Sequence, residues 1–307
     1  MQHLLHSDSG GKMRRAAILI NAYSRLEHSL YQSQRIKQEL EACGVRADVL
    51  RNDFFAALIE EDGGIFNKMS GYDFCVYLDK DKYVSDMLEK CGMRLFNRHD
   101  AIVGCDDKMT TYITLSRHGI PMPLTLPGLL CYDVEESVKT ETLNEVAERL
   151  GFPLIVKTSY GSLGNGVFKA EDMTELSRVA EQLKCMPHLF QRYIASSYGR
   201  DIRVIVIGGK YFGAIERRSK GDFRSNLEMG GTAVAIEPPR HVTDMCERIA
   251  EIMGLDYCGI DIMYGEEEGS YYVCEVNSNA FFCGFEAATG KNVARRYCEH
   301  MLAEIYA

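Results

Sequence analysis

Near residue 100 the hydrophobic pattern of this chain changes in kind, and one sheet type cannot accommodate both parts. Before it, short apolar strands alternate with helices. Residues 16–20 (AAILI) form a buried strand, and a helix with Ile36, Leu40 and Cys43 on one face follows it. Val45, Ala47 and Val49 alternate as a second strand and 74–78 (FCVYL) is a third. A helix through Val84, Met87 and Leu88 then leads to a fourth strand at Leu95 and Phe96. That order predicts a parallel three-layer α/β lobe over residues 13–97. Beyond it, strands at 154–156, 190–194, 202–207, 211–216, 258–264 and 271–277 follow one another mainly as hairpins. Helices opening at Asp106, at a Asp172…Glu175 capping box, near Thr243 and near Thr289 flank them. This second part reads as α+β, and residues 1–12, polar and without periodicity, read as a flexible extension.

Charge and cysteines narrow the function classes. With 35 basic against 44 acidic side chains the net charge is −9, so no footprint for nucleic acid or an anionic membrane is expected. No apolar run reaches the ~20 residues of a membrane span, and the first twelve residues lack a signal peptide's apolar core. The 11 cysteines show no CxxC or His/Cys ligand spacing, which argues against structural zinc. An odd count of mostly apolar-flanked cysteines fits a reducing cytoplasm.

Several nucleotide-site patterns fail. The first strand–helix turn reads Asn21, Ala22, Tyr23, Ser24, Arg25, with no GxGxxG for a dinucleotide. Gly161 and Gly166 have P-loop spacing, but Val167 and Phe168 stand where Lys and Ser/Thr are required. Protein-kinase motifs are out of order.

What remains is a set of charged residues in unusual settings. Strand 154–156 runs into Lys157 and a turn containing Gly161, Ser162, Gly164 and Gly166, whose backbone can approach an anion closely. Such a turn also closes ordinary hairpins. Lys108 sits in the first turn of a helix, where the dipole disfavours a cation unless an anion is near. Asp261 stands inside the apolar stretch GIDIM, and Glu275 and Asn277 share one face of the next strand. A hairpin centred on Glu268 sets Asp261 opposite Glu275, collecting three oxygen donors suited to Mg2+. Arg217, Arg218 and Arg224 lie in or beside a polar loop; guanidinium groups suit carboxylate or phosphate oxygens, though solvated loops have the same composition.

Taken in order, Lys108, the Lys157 strand with its glycine turn, FQRYI at 190–194, DIR at 201–203, IERR…GDFRSNL at 215–227, GID at 259–261 and EVN at 275–277 resemble the ATP-grasp enzymes. The closest branch is the RimK-like carboxylate–amine ligases. The similarity covers residues 100–307, with 98–188 as the central small lobe, 189–307 as the C-terminal lobe and 13–97 as the pre-grasp domain.

The resemblance implies ATP as cosubstrate and two Mg2+ ions, or Mn2+, held by Asp261, Glu275 and Asn277. Lys108, Lys157, Gly161, Ser162, Gly164 and Gly166 would meet the phosphates. Gln191, Arg192, Tyr193 and Ile194 would form the adenine hinge, and Asp201 would hold the ribose. Arg224, Asn226 and Arg217 would serve the transferred phosphoryl group and acceptor. It further implies amide formation through an acyl phosphate, a small-molecule or peptide carboxylate and an amino-acid amine as substrates, and a homodimer or homotetramer. A carboxylate kinase and a non-catalytic nucleotide-binding protein are the alternatives on the same fold. After EVN the chain departs from the family's Ala-Ser-Pro-Gly to read Ser278, Asn279, Ala280, Phe281, Phe282, Cys283, Gly284, Phe285, Glu286, and this segment with its three phenylalanines is expected to border the acceptor site. Tyr23, Ser24 and Arg25 are candidates for lining a substrate cleft.

Overall fold

A computed structural model describes residues 13–161, 164–219, 221–225 and 231–307. The sequence expectations for residues 1–12, Ser162 and Asn226 therefore lie outside the described residues. The chain divides into two compact units: residues up to His99 together with Asn292–Ala307, and Asp100–Lys291.

In the first unit, β1 (Arg15–Ile20), β2 (Arg46–Arg51), β5 (Phe74–Tyr77) and β6 (Arg94–Phe96) form a parallel sheet in the order β2-β1-β5-β6. Ala16 to Ile20 and Phe74 to Tyr77 are buried throughout, as the continuous apolar runs of a parallel sheet require. Helices α1 (Glu27–Ala42) and α2 (Lys82–Lys90) make the crossovers, and a small hairpin, β3 (Ala57–Ile59) with β4 (Ile65–Asn67), is an addition that periodicity did not reveal. Its strands have only three residues each, too few for a period to show.

The last helix departs from the expected C-terminal lobe. Gly290 takes the left-handed conformation and ends α8 (Cys283–Thr289), an unexpected helix that precedes the one expected over 289–305. The latter, α9 (Val293–Tyr306), packs on α1 within the first unit. Asn292 accepts from Arg35 at 2.9 Å and donates to Glu39 at 2.7 Å, fixing that contact.

The second unit holds two antiparallel sheets. The smaller runs β7-β10-β8-β9, with β7 (Thr125–Pro127), β8 (Leu154–Thr158), β9 (Val167–Ala170) and β10 (His188–Arg192). Helices α5 (Thr140–Leu150) and α6 (Met173–Leu183) cover it through a core of Leu143, Val146, Val156, Leu176, Val179 and Phe190. Asp172 caps α6 by accepting from the Glu175 N–H at 2.9 Å, while the Glu175 carboxylate returns to the Glu171 N–H at 2.8 Å, one residue earlier than a capping box expects.

The larger sheet runs β13-β12-β11-β14-β15, with β11 (Arg200–Ile207), β12 (Lys210–Arg218), β13 (Thr232–Ile236), β14 (Tyr257–Tyr264) and β15 (Tyr271–Asn277). Helix α7 (Arg240–Ile252) packs on it over Val204, Val206, Cys246, Ile249, Ile260 and Ile262. Alternation then leaves Arg203 and Asp261 for the opposite face. Helices α3 (His99–Asp106) and α4 (Lys108–Leu115) complete the unit; α3 was not expected, and Asp107 separates the two by capping α4.

Candidate active site

One cleft in the second unit brings together Lys108, Lys157, Arg224, Asp261 and Glu275, whereas Gly166 and Asn277 are not among its lining residues. β8 and the glycine turn form one wall and the charged face of the larger sheet the other, with the segment after β10 between them.

Register brings the charges together. Asp201 of β11 pairs across from Arg217 of β12, and Arg203 pairs across from Asp261 of β14. Arg203 forks onto both Asp261 oxygens at 2.8 and 2.7 Å. Arg217, only 2% exposed, reaches Asp201 at 2.8 Å and Asp261 at 2.9 Å. Burial works to raise the Asp261 pKa, but Arg203 and Arg217 outweigh it and hold the carboxyl below the usual aspartate range. Arg217 is thus a strut between two buried acids. Asp201, assigned above to a ribose, has both oxygens on that strut.

Asp261 does stand opposite Glu275, but through a bulge that the sequence did not announce. Near the turn, Ile262 pairs with Val273 and Tyr264 with Tyr271; Cys274 is then an extra residue, and Asp261 pairs with Glu275. The bulge lets Val273 and Val276, three apart, both enter the core while Glu275 lines the cleft.

The lysines are anchored from below. Lys108 opens α4, and its ammonium donates to the Gly161 carbonyl at 2.9 Å and lies 3.5 Å from Glu275. The expected anion at this helix start is therefore present. Lys157, 5% exposed, donates to the Tyr112 hydroxyl at 3.1 Å and to Gln191 Oε1 at 2.9 Å. Burial disfavours its charge, yet Tyr112, Cys274 and Glu275 more than offset this, so its pKa lies above the ordinary lysine value.

Gly161, Gly164 and Gly166 all have positive φ, and a Cβ on Gly166 would come within 2.4 Å of Thr158 Oγ1. Only glycine allows this turn to lie so close to its own strand. Arg224 donates to the Gly164 carbonyl at 3.0 Å while Asp222 holds its guanidinium. At the end of β10 Gln191 is buried and bonded to Thr125 at 2.8 Å, and Arg192 lines the cleft together with Tyr193 and Ile194 of the segment that follows.

Glu275 offers carboxylate oxygens to the cleft, as a hard divalent cation requires. Asn277 is not among the lining residues, and its buried Nδ2, a hydrogen-bond donor and not a metal ligand, has no partner among the described residues. Asp261 would share its oxygens with Arg203 and Arg217. No group of three or more His, Cys, Asp or Glu poised for a metal occurs among the described residues.

Phe282 and Phe285 are buried core residues, packing on Tyr257 and Phe212, so two of the three phenylalanines expected at the acceptor site serve the fold. Tyr23 and Arg25 line a small pocket with Ala22 and Arg51 in the first unit. Tyr112 and Cys274 are site residues that the sequence reading missed. The signal for Tyr112 was its place one helical turn after Lys108. Among the described residues no helix is long and apolar enough to cross a membrane.

Comparison with known proteins identifies the family. The profile of the RimK-like ATP-grasp domain matches residues 105–301. N-acetylaspartylglutamate synthase A of Homo sapiens is 37% identical over 220 residues, 71% of this chain and 54% of that protein. The chain thus spans about half the length of that relative. A probable alpha-L-glutamate ligase of Psychromonas ingrahamii is 31% identical over 281 residues, covering 87% of this chain and 89% of that one. The ATP-grasp ligase PsnB, solved with a minimal precursor, Mg and ADP, superposes with a TM-score of 0.67 at 22% identity, covering 95% and 98% of the two chains, and shares the fold. The chain belongs to the RimK-like ATP-grasp family.

Proposed function

We propose that this protein is an ADP-forming ligase that joins a carboxylate to an amino-acid amine through an acyl phosphate. The observation that carries the reading is the convergence of Lys108, Lys157, Arg224 and the facing pair Asp261 and Glu275 on one cleft. The names of the relatives, a synthase of N-acetylaspartylglutamate and a probable glutamate ligase, support an amino acid as the amine and make glutamate the first to test.

In this reading a substrate carboxylate oxygen attacks the γ-phosphorus of ATP, the bond to the ADP oxygen breaks, and an acyl phosphate forms. The amine nitrogen then attacks the acyl carbon, inorganic phosphate leaves, and the nitrogen gives up a proton. Negative charge spreads over the phosphoryl oxygens in the first step, and Lys108, Lys157 and Arg224 would stabilise it. Asp261, Glu275 and Asn277 would hold two Mg2+ ions, or Mn2+, which neutralise the triphosphate charge when bound. Gly161, Gly164 and Gly166 let backbone close over the phosphates and exclude water from the acyl phosphate. Gln191, Arg192, Tyr193 and Ile194 would frame the adenine and Asp201 the ribose. Arg217 contributes by holding Asp201 and Asp261 in register.

The test is ADP release with Mg·ATP across amino acids, di-acids and short acidic peptides, with Glu275→Ala as the blank. A pair of compounds that are both required, one acid and one amine, is the expected outcome. Release with the acid alone would make the protein a carboxylate kinase, and failure to bind nucleotide would end the reading.

A further inference from the structure

Lys157 is a buried lysine whose direction depends on its neighbours, and one of those neighbours has no role in the mechanism above. Tyr112 is 5% exposed and projects from α4 one turn after Lys108. Its hydroxyl carries a single hydrogen, which it donates to the Cys274 carbonyl at 2.6 Å. Its lone pairs are thereby left for Lys157, whose ammonium donates to it at 3.1 Å. Gln191 is oriented in the same way: Nε2 donates to Thr125 Oγ1 at 2.8 Å, so Oε1 faces Lys157 and accepts at 2.9 Å. Two of the three ammonium hydrogens are therefore taken, and among the described residues the third has no acceptor on the protein.

The other end of the Tyr112 contact is equally specific. Cys274 is the extra residue of the β15 bulge, absent from the register pairs on either side. β15 is an edge strand, and its backbone is held from outside the sheet by α4 and the segment after it: Tyr112 donates to the Cys274 carbonyl, and Pro121 accepts from Val273 N–H at 2.9 Å. One hydroxyl thus touches both the bulge that presents Glu275 and the lysine on the facing wall.

We propose that Tyr112 is a positioning residue for nucleotide binding, anchoring the Cys274 bulge and aiming the free N–H of Lys157 at a nucleotide phosphate. This rests on the reading that Lys157 meets phosphate, and the test separates the two. Mg·AMPPNP and adenosine, which has no phosphate, are titrated into the wild type, Tyr112→Phe and Lys157→Met, with folding followed by circular dichroism and melting. Tyr112→Phe should weaken Mg·AMPPNP about tenfold, the usual effect of one hydrogen bond to a charged group, and leave adenosine within about twofold. Lys157→Met should show the same selectivity with at least as large a loss.

If Lys157→Met loses Mg·AMPPNP but Tyr112→Phe does not, or if Tyr112→Phe weakens both ligands alike, the positioning role is overturned and the phosphate reading stands. If Lys157→Met binds Mg·AMPPNP normally, the phosphate reading fails and the proposal fails with it. Tyr112→Met fills the site without a hydroxyl and must reproduce the Tyr112→Phe pattern, which keeps the test decisive if the phenylalanine variant is poorly folded.

Discussion

Asp261 and Glu275 face each other across neighbouring strands because one extra residue, Cys274, is inserted between Glu275 and the hairpin turn. The inner hairpin pairs Tyr264 with Tyr271 and Ile262 with Val273; without the insertion the same register would set Cys274 across from Asp261. The acidic pair is thus a product of the bulge, and its neighbours are arranged around that fact. Arg203 and Arg217 compensate Asp261 from one side, and Lys108 lies 3.5 Å from Glu275 on the other.

The Glu275 side chain is half-buried, lines the cleft and lies outside the hydrophobic core of the larger sheet. Glu275→Ala should therefore abolish ATP turnover with a melting temperature within a few degrees of the wild type. Normal turnover in a folded variant would remove Glu275 from the metal site.

Arg224 is held by Asp222 and rests on the Gly164 carbonyl, so it sits where the glycine turn meets the polar loop. An interaction made mainly in the transition state lowers kcat more than it changes nucleotide affinity. Arg224→Ala should cut turnover by at least a hundredfold while the dissociation constant of Mg·AMPPNP moves less than about fivefold. Equal loss of both would reassign Arg224 to ground-state nucleotide binding.

Asp261 compensates two guanidiniums, one of them nearly inaccessible. Removing one partner from a buried ionic group leaves uncompensated charge, at a cost of about 3 kcal/mol or more. Asp261→Asn should lower stability on that scale in urea unfolding as well as abolish turnover. By the same reasoning Arg217→Met should destabilise the protein; a variant of Arg217 with native stability and no activity would instead mark it as a catalytic group.

The cysteines should separate cleanly by pH. Cys75 lies wholly buried in β5, and burial pushes its thiol up to about 12. At pH 8 its thiolate is about one part in ten thousand, and reactivity appears only as pH rises toward that value. Cys185 is exposed and without a disulfide. Alkylation of the native protein followed by peptide mapping should label Cys185 within minutes and Cys75 only on unfolding. Early labelling of Cys75 would show that the first unit opens readily.

Much of the architecture was legible because it is written in short-range pattern. Buried runs such as 16–20 and 74–77 are strands through continuous apolarity, and the stripe Leu176, Val179, Ala180, Leu183 declares α6. The glycines at 161, 164 and 166 could be read as a turn of unusual backbone because few other residues tolerate positive φ. The short strands β3, β4 and β7 were invisible, since three residues cannot display a period. Phe282 and Phe285 were read as site residues because composition does not say which way a side chain points; packing on Tyr257 and Phe212 turned them inward.

What the sequence by itself determined is most of the longer strands and helices, the change from parallel to hairpin-linked strands near residue 100, and the identity of the ionisable residues available for chemistry. These follow from local periodicity and side-chain type, which act over a few residues. The tertiary structure alone decided that Cys274 bulges, that Arg217 is buried between Asp201 and Asp261, that Tyr112 joins Lys157 to β15, and that α9 belongs with α1. Each of those depends on which distant segments meet and in what register, a choice made by the burial of whole faces rather than by any one stretch of chain.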